Sequence, residues 1–178
     1  MTVDELRALV RTIPDFPKAG ILFRDVTTLM GHGAGFAAAI GHLAQLAQSA
    51  EAQAIAGIEA RGFIFGAAMA ARMGLPFVPV RKPGKLPVPV LAIDYALEYG
   101  TDTLEVDPGA VAEGARIVLV DDLIATGGTA LAAVELLRRA GGDVVQSLFA
   151  IDLPDLGGAE RLRDAGVPAS ALMAFPGH

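Results

Sequence analysis

Apolar residues along the chain follow two alternating patterns, helical spacing and short continuous runs. Helical spacing predicts three helices, at residues 34–50, 62–73 and 128–140. Gly74 and Gly141 follow the last two helices as stop signals. Short apolar runs predict four buried strands, at residues 54–58, 77–80, 116–120 and 144–151. Because helices and strands alternate, we expect a parallel sheet with helices on both faces.

The N-terminal residues predict a further short helix. Thr2 and Glu5 have the spacing of a capping box, in which each side chain accepts a hydrogen bond from the other residue's backbone N–H. Four apolar residues then recur at helical intervals: Leu6, Leu9, Val10 and Ile13. We expect this helix to continue until Pro14, which cannot donate a backbone hydrogen bond.

Two long stretches interrupt the alternation, residues 15–30 and residues 82–107. Long excursions in α/β domains usually act as binding loops or lids. No repeat, low-complexity segment or linker separates these stretches from the rest of the sequence. Since a chain of 178 residues suits one hydrophobic core, we expect a single domain over residues 1–178.

Composition narrows the class of protein. With 53% apolar residues, 19% charged residues and a mean hydropathy of +0.49, the chain is expected to fold rather than remain disordered. Its longest nearly apolar run, residues 62–71, is well short of the roughly 20 residues that span a bilayer. The N-terminus lacks the features of an export signal. We therefore expect a cytoplasmic protein that does not enter the membrane.

Residue counts also exclude several kinds of chemistry. The sequence has no cysteine, which rules out disulfides, thiol nucleophiles and thiolate metal sites. Its scattered histidines, His32, His42 and His178, are expected at surface or capping positions rather than in a zinc site. With a net charge of −6 and no basic stripe, we expect no nucleic-acid partner. A phosphate bound here is therefore expected to belong to a small molecule.

One segment combines the features of a sugar-phosphate site. The predicted strand at residues 116–120 runs into Asp121 and Asp122, and a glycine-containing loop follows before the next helix. Ligands of open parallel sheets bind at the carboxyl ends of strands, and backbone N–H groups at a helix start bind phosphate without a lysine. The two carboxylates can accept hydrogen bonds from a vicinal diol. We therefore predict a ribose 5-phosphate site, with the phosphate in the loop of Ala125, Thr126, Gly127, Gly128 and Thr129.

Other nucleotide-binding motifs do not fit the sequence. A Walker A loop requires a lysine after its glycines, and residues 120–129 contain none. A dinucleotide fingerprint requires a glycine spacing that differs from that of Gly31, Gly33 and Gly35. Spacing alone leaves an equal alternative for the acid pair and the glycines, namely a solvated strand end followed by an ordinary turn.

Residues 120–129 resemble the phosphoribosyl pyrophosphate (PRPP) motif of the type I phosphoribosyltransferase family. Four other segments are similar to the adenine-specific branch of that family in order and spacing, namely residues 15–25, 59–63, 81–87 and 97–101. The similarity extends over essentially the whole chain. It implies an α/β fold with an open, mainly parallel twisted sheet flanked by helices. It also implies a small base-binding hood, about residues 1–30 with C-terminal elements, and a flexible lid loop, about residues 82–107.

The resemblance implies an activity as well. The expected reaction transfers the 5-phosphoribosyl group from PRPP to adenine and gives AMP and pyrophosphate, as a step of purine salvage. Mg²⁺ is the implied cofactor, and since it is expected to bind mainly through PRPP, no residue is predicted as a direct metal ligand. The family further implies a cytoplasmic homodimer.

The family's residue roles carry over to matching positions. The resemblance implies the same ligands as the prediction from the residues. The ribose hydroxyls are expected to bind to Asp121 and Asp122, and the 5-phosphate is expected to bind to the loop that follows them. Arg61 is expected to stabilise the departing pyrophosphate during catalysis. A basic cluster is expected to assist it, in the same subunit or in a partner's site: Arg81, Lys82 and Lys85. For this cluster a solvated charged turn is the alternative.

Glu98 matches the residue of the family that accepts the N7 proton of adenine, and an exposed loop acid is the alternative. Adenine recognition is expected to use the backbone C=O of Leu22 and the backbone N–H of Arg24, which point the same way in a strand. Phe23 and Leu153 are expected to pack near the base. From the residues alone, Leu22, Phe23 and Leu153 could equally belong to a plain hydrophobic core, and the sequence by itself favours that alternative.

Two competing functions remain open at this point. One is a phosphoribosyltransferase for another purine or pyrimidine base, which the segments at residues 22–25 and 97–100 disfavour. The other is a non-catalytic PRPP or purine sensor that regulates transcription. Such a sensor needs a DNA-binding module, for which 178 residues of net charge −6 leave no room.

Overall fold

The computed structural model describes residues 1–177, so the expectation for His178 lies outside the described residues. The helices are α1 (Val3–Ala8), α2 (Thr27–Met30), α3 (Gly33–Ser49), α4 (Arg61–Met73), α5 (Gly128–Arg139) and α6 (Gly158–Asp164). The strands are β1 (Arg11–Pro14), β2 (Leu22–Asp25), β3 (Ala54–Ile58), β4 (Phe77–Val80), β5 (Leu91–Ala96), β6 (Thr101–Val106), β7 (Arg116–Ile124), β8 (Asp143–Asp152) and β9 (Ala169–Ala174).

Five parallel strands form the central sheet in the order β4-β3-β7-β8-β9. The chain leaves β3 through α4 toward β4 on one side, and leaves β7 through α5 toward β8 on the other. A crevice is expected where two neighbouring strands send their connections in opposite directions. The carboxyl ends of β3 and β7 therefore form the position at which this sheet can hold a ligand.

The sheet separates two hydrophobic cores, as the alternating pattern predicts. One core lies under α5 and α6 and includes the fully buried Leu136 and Leu162. The other lies under α1, α3 and α4 and includes the fully buried Leu6, Leu43 and Phe65. Within residues 1–177, no helix is long and apolar enough to cross a membrane.

The capping residues account for several helix ends. In α1, the Glu5 N–H donates to Thr2 Oγ1 and the Thr2 N–H donates to Glu5 Oε2, which confirms the capping box. His32 caps α3 by accepting a hydrogen bond from the Gly35 N–H at 3.0 Å. Helix α4 ends at Gly74, whose φ of 65° lies in the left-handed region that favours glycine.

The expected length of the N-terminal helix is wrong, because α1 ends at Ala8 rather than near Pro14. Residues Arg11–Pro14 instead form β1, which pairs antiparallel with β2 and places Ile13 opposite Phe23. A residue before proline is biased toward extended backbone, which favours a strand at this position. The first 25 residues therefore include a hairpin that lies outside the central sheet.

Strand β7 is longer than predicted and continues to Ile124. Its pairing with β8 includes Asp121 opposite Phe149 and Ile124 opposite Asp152. The acid pair therefore lies within the strand instead of after it, because the ladder of hydrogen bonds with β8 extends past the apolar run. This pairing fixes the backbone of Asp121 and Asp122 on the sheet.

Residues 82–107, for which the sequence indicated loop and short extended runs, contain a two-stranded hairpin. β5 and β6 pair antiparallel, with Ile93 opposite Leu104. The side chain of Leu104 is fully buried and Ile93 is nearly so, in the core under α5. The hairpin is therefore anchored at its base, and its exposed turn spans residues 97–100.

Asp25 makes the stability of the N-terminal hairpin dependent on pH. Thr27 donates to Asp25 from its backbone, and Arg11 donates from its guanidinium at 2.5 Å. The bonds from Thr27 and then from Arg11 lower the pKa of Asp25 from 3.8 to about 2. Ionised Asp25 thus stabilises the fold fully above the unfolded-state value, and this contribution is lost as the pH falls through 2.

We expect Asp25→Asn to lower the free energy of unfolding by about 1 kcal/mol at pH 7, since Arg11 is partly exposed and its charge is screened. At pH 3 the difference should shrink to about half, because wild-type Asp25 is then less stabilised by ionisation. Urea denaturation at both pH values measures the effect. The exposed Asp164→Asn is the control, and an equal loss for Asp25→Asn at both pH values would contradict the assignment.

Candidate active site

A cavity of about 290 Å³ opens at the carboxyl ends of β3 and β7, where the topology places the ligand crevice. Four segments line it: the β3–α4 junction at residues 59–61, Lys82, the end of β7, and the loop that leads into α5. A larger groove of about 910 Å³ lies along α3 and the end of α4 and contains none of the predicted site residues. The smaller cavity is therefore the candidate active site.

The loop after β7 is held in shape by α6, an element that the sequence did not predict. Gly127 has a φ of 84°, and a Cβ there would lie 2.9 Å from the Gly158 Cα. The Gly158 N–H donates to the Ala125 carbonyl at 3.0 Å, and Arg161 donates to the Thr126 carbonyl. Because Gly127 caps α5 without a side chain, the N–H groups of the first turn are available to an anion.

Asp121 and Asp122, the acid pair, both line the cavity, and they have different surroundings. Asp122 is 5% exposed and accepts a hydrogen bond from Arg61 Nε. Burial, and then the neighbouring charge of Asp122, raise the pKa of Asp121 well above its usual range. Gly62 lies directly against Asp121, since a Cβ at Gly62 would be 2.8 Å from Asp121 Oδ1. The start of α4 can therefore approach the acid pair only with glycine at this position.

Glu59 is a functional candidate that the sequence analysis did not single out. Its carboxylate accepts from the Lys82 N–H at 2.9 Å, from Arg81 Nε at 3.4 Å and from Lys85 Nζ. Burial raises the pKa of Glu59, but the bond from Lys85 and the other donors outweigh this, and the pKa lies below its usual range. The three basic residues therefore come together around one carboxylate, and Lys82 lines the cavity.

The residues predicted to bind adenine lie outside the lining of this cavity. Leu22 and Phe23 are on β2, while Leu153 follows β8 and donates its N–H to the Ile124 carbonyl at 3.0 Å. The Arg24 side chain donates to the Pro176 carbonyl at 2.9 Å, so it holds the C-terminal segment. The structure thus brings β2 beside the C-terminal residues.

Glu98 also lies outside the cavity lining, on the exposed turn of the β5–β6 hairpin. In the same turn, the ring of Tyr99 is 5.0 Å from Lys18 Nζ. The turn therefore contacts the N-terminal loop before β2, which is the segment predicted to form the hood.

Comparison with known proteins identifies the family. Residues 25–164 match the model of the phosphoribosyl transferase domain. The adenine phosphoribosyltransferase of Novosphingobium aromaticivorans is 70% identical to this chain over 178 residues. The alignment covers 100% of both proteins. The adenine phosphoribosyltransferase of Erythrobacter litoralis is 65% identical over the same length, again with full coverage of both chains.

Solved structures give the same result. The crystal structure of adenine phosphoribosyltransferase from Thermoanaerobacter pseudethanolicus has a TM-score of 0.92 and 46% identity, covering 98% of this chain and 100% of that chain. The Saccharomyces cerevisiae enzyme in complex with adenine has a TM-score of 0.89 and 35% identity, and the match covers 96% of this chain and 98% of that chain. With relatives this similar over its whole length, the chain belongs to the phosphoribosyltransferase family, within the adenine phosphoribosyltransferase branch.

Proposed function

We propose that the chain transfers the 5-phosphoribosyl group from PRPP to adenine and so forms AMP and pyrophosphate. One observation carries this proposal: a single cavity combines a helix N-terminus for a monophosphate, an acid pair for a diol and two cationic side chains for a diphosphate. PRPP has these three groups in this order. The adenine phosphoribosyltransferases that match the full chain support adenine as the acceptor.

The sugar phosphate is held by β7 and the loop after it. The 5-phosphate accepts hydrogen bonds from the backbone N–H groups of residues 125–129, at the positive end of the α5 dipole. The ribose hydroxyls donate to Asp121 and Asp122. Because β8 and α6 fix the backbone on both sides of this segment, the ribose is oriented before reaction.

The pyrophosphate end lies toward Arg61 and Lys82, with Arg81 and Lys85 nearby. Cationic donors stabilise the negative charge that develops on pyrophosphate as the bond to the anomeric carbon breaks. Glu59 accepts hydrogen bonds from the charged side chains of Arg81 and Lys85, so these two charges are positioned near the cavity without a ligand. It also accepts from the backbone N–H of Lys82. We place all four residues in the binding of pyrophosphate.

The oxygen ligands that the cavity offers are suited to Mg²⁺. This ion prefers oxygen ligands and is usually bound by one or two carboxylates together with substrate phosphates. Asp121 and Asp122 supply carboxylate oxygens beside the space for the diphosphate. Among residues 1–177 no set of three metal-binding side chains occurs, so the remaining ligands would be oxygens of PRPP and water. The bound ion supplies charge neutralisation on the leaving pyrophosphate.

Displacement at the anomeric carbon proceeds through an oxocarbenium-like state, as at other glycosidic centres. The C1–O bond breaks with its electron pair leaving on pyrophosphate, and N9 of adenine forms the new bond to C1. Adenine reacts as its N7–H tautomer, in which the N9 lone pair is free for attack, and Glu98 takes the N7 proton as the new bond forms. The turn that carries Glu98 closes over the base and excludes the water that would hydrolyse PRPP.

Adenine lies between the N-terminal hood and this turn. Exposed apolar side chains from both segments are available to cover it, at Phe16, Leu22, Leu97 and Tyr99. The backbone C=O of Leu22 accepts from N6 and the N–H of Arg24 donates to N1, with Phe23 and Leu153 beside the ring. We propose that residues 1–30 and the C-terminal elements form the hood over the base. Residues 82–107 form the lid, whose base is anchored in the core.

The test is AMP formation from adenine, PRPP and Mg²⁺, with hypoxanthine, guanine, xanthine and orotate in parallel. Rapid turnover selective for adenine is expected. Turnover of another base would retain the PRPP site and overturn the assignment of the base pocket. Binding of PRPP without turnover of any base would indicate a sensor.

We expect Glu98→Gln to lower single-turnover AMP formation by about 100-fold, because glutamine cannot accept the N7 proton. The affinity for PRPP should stay within about twofold, since Glu98 does not line the PRPP cavity. Rapid-quench kinetics and a PRPP titration measure the two effects. Glu160→Gln, at an exposed position on α6, is the matched control, and an unchanged single-turnover rate would remove Glu98 from catalysis.

We also propose a homodimer that acts in purine salvage in the cytoplasm. Helix α4 exposes an apolar stripe of Ile64, Ala67 and Ala71, in which Ile64 is 44% exposed. This stripe begins one turn after Arg61, so a second copy seated on it would lie next to the active site. Analytical ultracentrifugation tests the dimer, and a monomer with full activity would overturn it.

A further inference from the structure

The β5–β6 hairpin carries two polar side chains that contact the candidate active site. Tyr95 on β5 and Asp102 on β6 are directly opposite each other in the antiparallel register. The Tyr95 hydroxyl donates to Asp102 Oδ2 at 3.3 Å. Because Ile93 and Leu104 anchor the hairpin in the core, this polar pair has a fixed position relative to the sheet.

Lys82, at the pyrophosphate end of the cavity, is held by this pair. Its Nζ donates to Tyr95 Oη at 3.2 Å and forms an ion pair with Asp102. Burial lowers the pKa of Lys82, but its bond with Asp102 outweighs this and the pKa lies above its usual range. An ammonium group has three donors, so the hairpin engages two and leaves the third for a ligand.

Thr129, at the 5-phosphate end, contacts the same phenol. Its Oγ1 donates to Tyr95 Oη at 3.4 Å. Thr129 lies in the first turn of α5 and lines the cavity together with Lys82. One phenol oxygen thus contacts a residue from each of the two proposed phosphate sites, whereas Asp102 bonds to Lys82 and not to Thr129.

We propose that Tyr95 and Asp102 are positioning residues for PRPP, with Asp102 orienting Lys82 toward the pyrophosphate and Tyr95 orienting both Lys82 and Thr129. This inference rests on the proposed function, because it requires the two phosphate sites. The inference also predicts a change in pyrophosphate affinity opposite in direction to the change expected from charge alone. Removing a carboxylate near an anion site ordinarily strengthens anion binding, whereas loss of the partner that orients Lys82 weakens it.

The experiment measures the dissociation constants of two probes by isothermal titration calorimetry, pyrophosphate with excess MgCl₂ and ribose 5-phosphate. For Asp102→Asn we expect pyrophosphate to bind about 5- to 10-fold more weakly, with ribose 5-phosphate unchanged within twofold. For Tyr95→Phe we expect both probes to bind about threefold more weakly, the size of one neutral hydrogen bond. A general loss of stability would not separate the two probes in this way.

Asp94→Asn is the matched control, because Asp94 is on the same hairpin and bonds to Thr103 Oγ1 rather than to Lys82. It removes the same charge and should leave both constants unchanged within twofold. In a Lys82→Ala background, Asp102→Asn should have no further effect on pyrophosphate.

Two results would overturn the inference while leaving the proposed function intact. One is that Asp102→Asn binds pyrophosphate as tightly as wild type or more tightly. The other is that Asp102→Asn retains its full effect in the Lys82→Ala background. A wild-type chain that binds neither probe and forms no AMP would overturn the proposed function as well.

Discussion

Gly158→Ala is expected to lower kcat/KM for PRPP by about 1,000-fold. A Cβ at Gly158 would lie 2.4 Å from the Ala125 carbonyl oxygen and 2.7 Å from the Gly127 nitrogen, so the phosphate loop or α6 must move by about 1 Å. A misplacement of this size costs about 100-fold, and loss of one charge-assisted hydrogen bond to the phosphate costs at least about tenfold more.

Steady-state kinetics with PRPP varied at saturating adenine measures this effect. Gly33→Ala is the control, because nothing lies within 4 Å of a Cβ there, and its kinetics should match wild type. Should Gly158→Ala fail to fold, Arg161→Ala removes the bond to the Thr126 carbonyl without adding a clash and should lower kcat/KM about tenfold. Wild-type kinetics in both variants would show that α6 does not shape the phosphate site.

Asp122→Asn is expected to lower kcat/KM for PRPP by a similar factor, about 1,000-fold. The substitution removes the charge that we propose accepts a ribose hydroxyl and also the partner of Arg61. Hydrogen bonds to charged groups contribute about 1.5–3 kcal/mol each, so two of them give about three orders of magnitude. The same kinetic assay measures the loss, and the exposed Asp164→Asn should leave it unchanged.

A double-mutant cycle separates the two roles of Asp122. If Arg61 acts through its contact with Asp122, Arg61→Ala and Asp122→Asn together should lower kcat/KM by less than the product of their separate effects. Strict additivity would show that the two residues act on PRPP independently. In that case the contact between them serves the fold of the β3–α4 junction alone.

The central fold was predictable because its signals are local. Strands β3 and β4 and helices α3, α4 and α5 agree with the apolar pattern within one residue at each end. Strand β9, Ala169–Ala174, lacks such a signal, because its sequence is rich in alanine and contains no β-branched residue. It forms a strand since β8 offers it an edge to pair with. Helix α6 has only seven residues and begins at the second of two consecutive glycines, Gly157 and Gly158, so its sequence gives only a weak helical signal.

The candidate site likewise combines residues with a local sequence signal and residues that are brought together only by the fold. Residues 121–129 are contiguous, so the whole string of acid pair, glycines and helix start could be compared with a known motif, and this favours a ribose 5-phosphate site over an ordinary turn. The contacts of Glu59 with Lys85, of Lys82 with Asp102 and of Tyr95 with Thr129 join residues 20 to 34 positions apart. No periodicity or short motif indicates pairs of this kind.

The sequence by itself determined the alternation of helices and strands, the position of the acid pair and the glycine loop between a strand and a helix, and the family that these segments resemble. The tertiary structure decided that the acid pair lies within β7, that β5 and β6 form an anchored hairpin, and that α6 supports the loop of residues 125–129. The physical reason is the separation along the sequence of the residues that interact. Helical spacing, caps and glycine turns depend on neighbours within a few residues, whereas strand ends and ion-pair partners depend on which distant segments pack together.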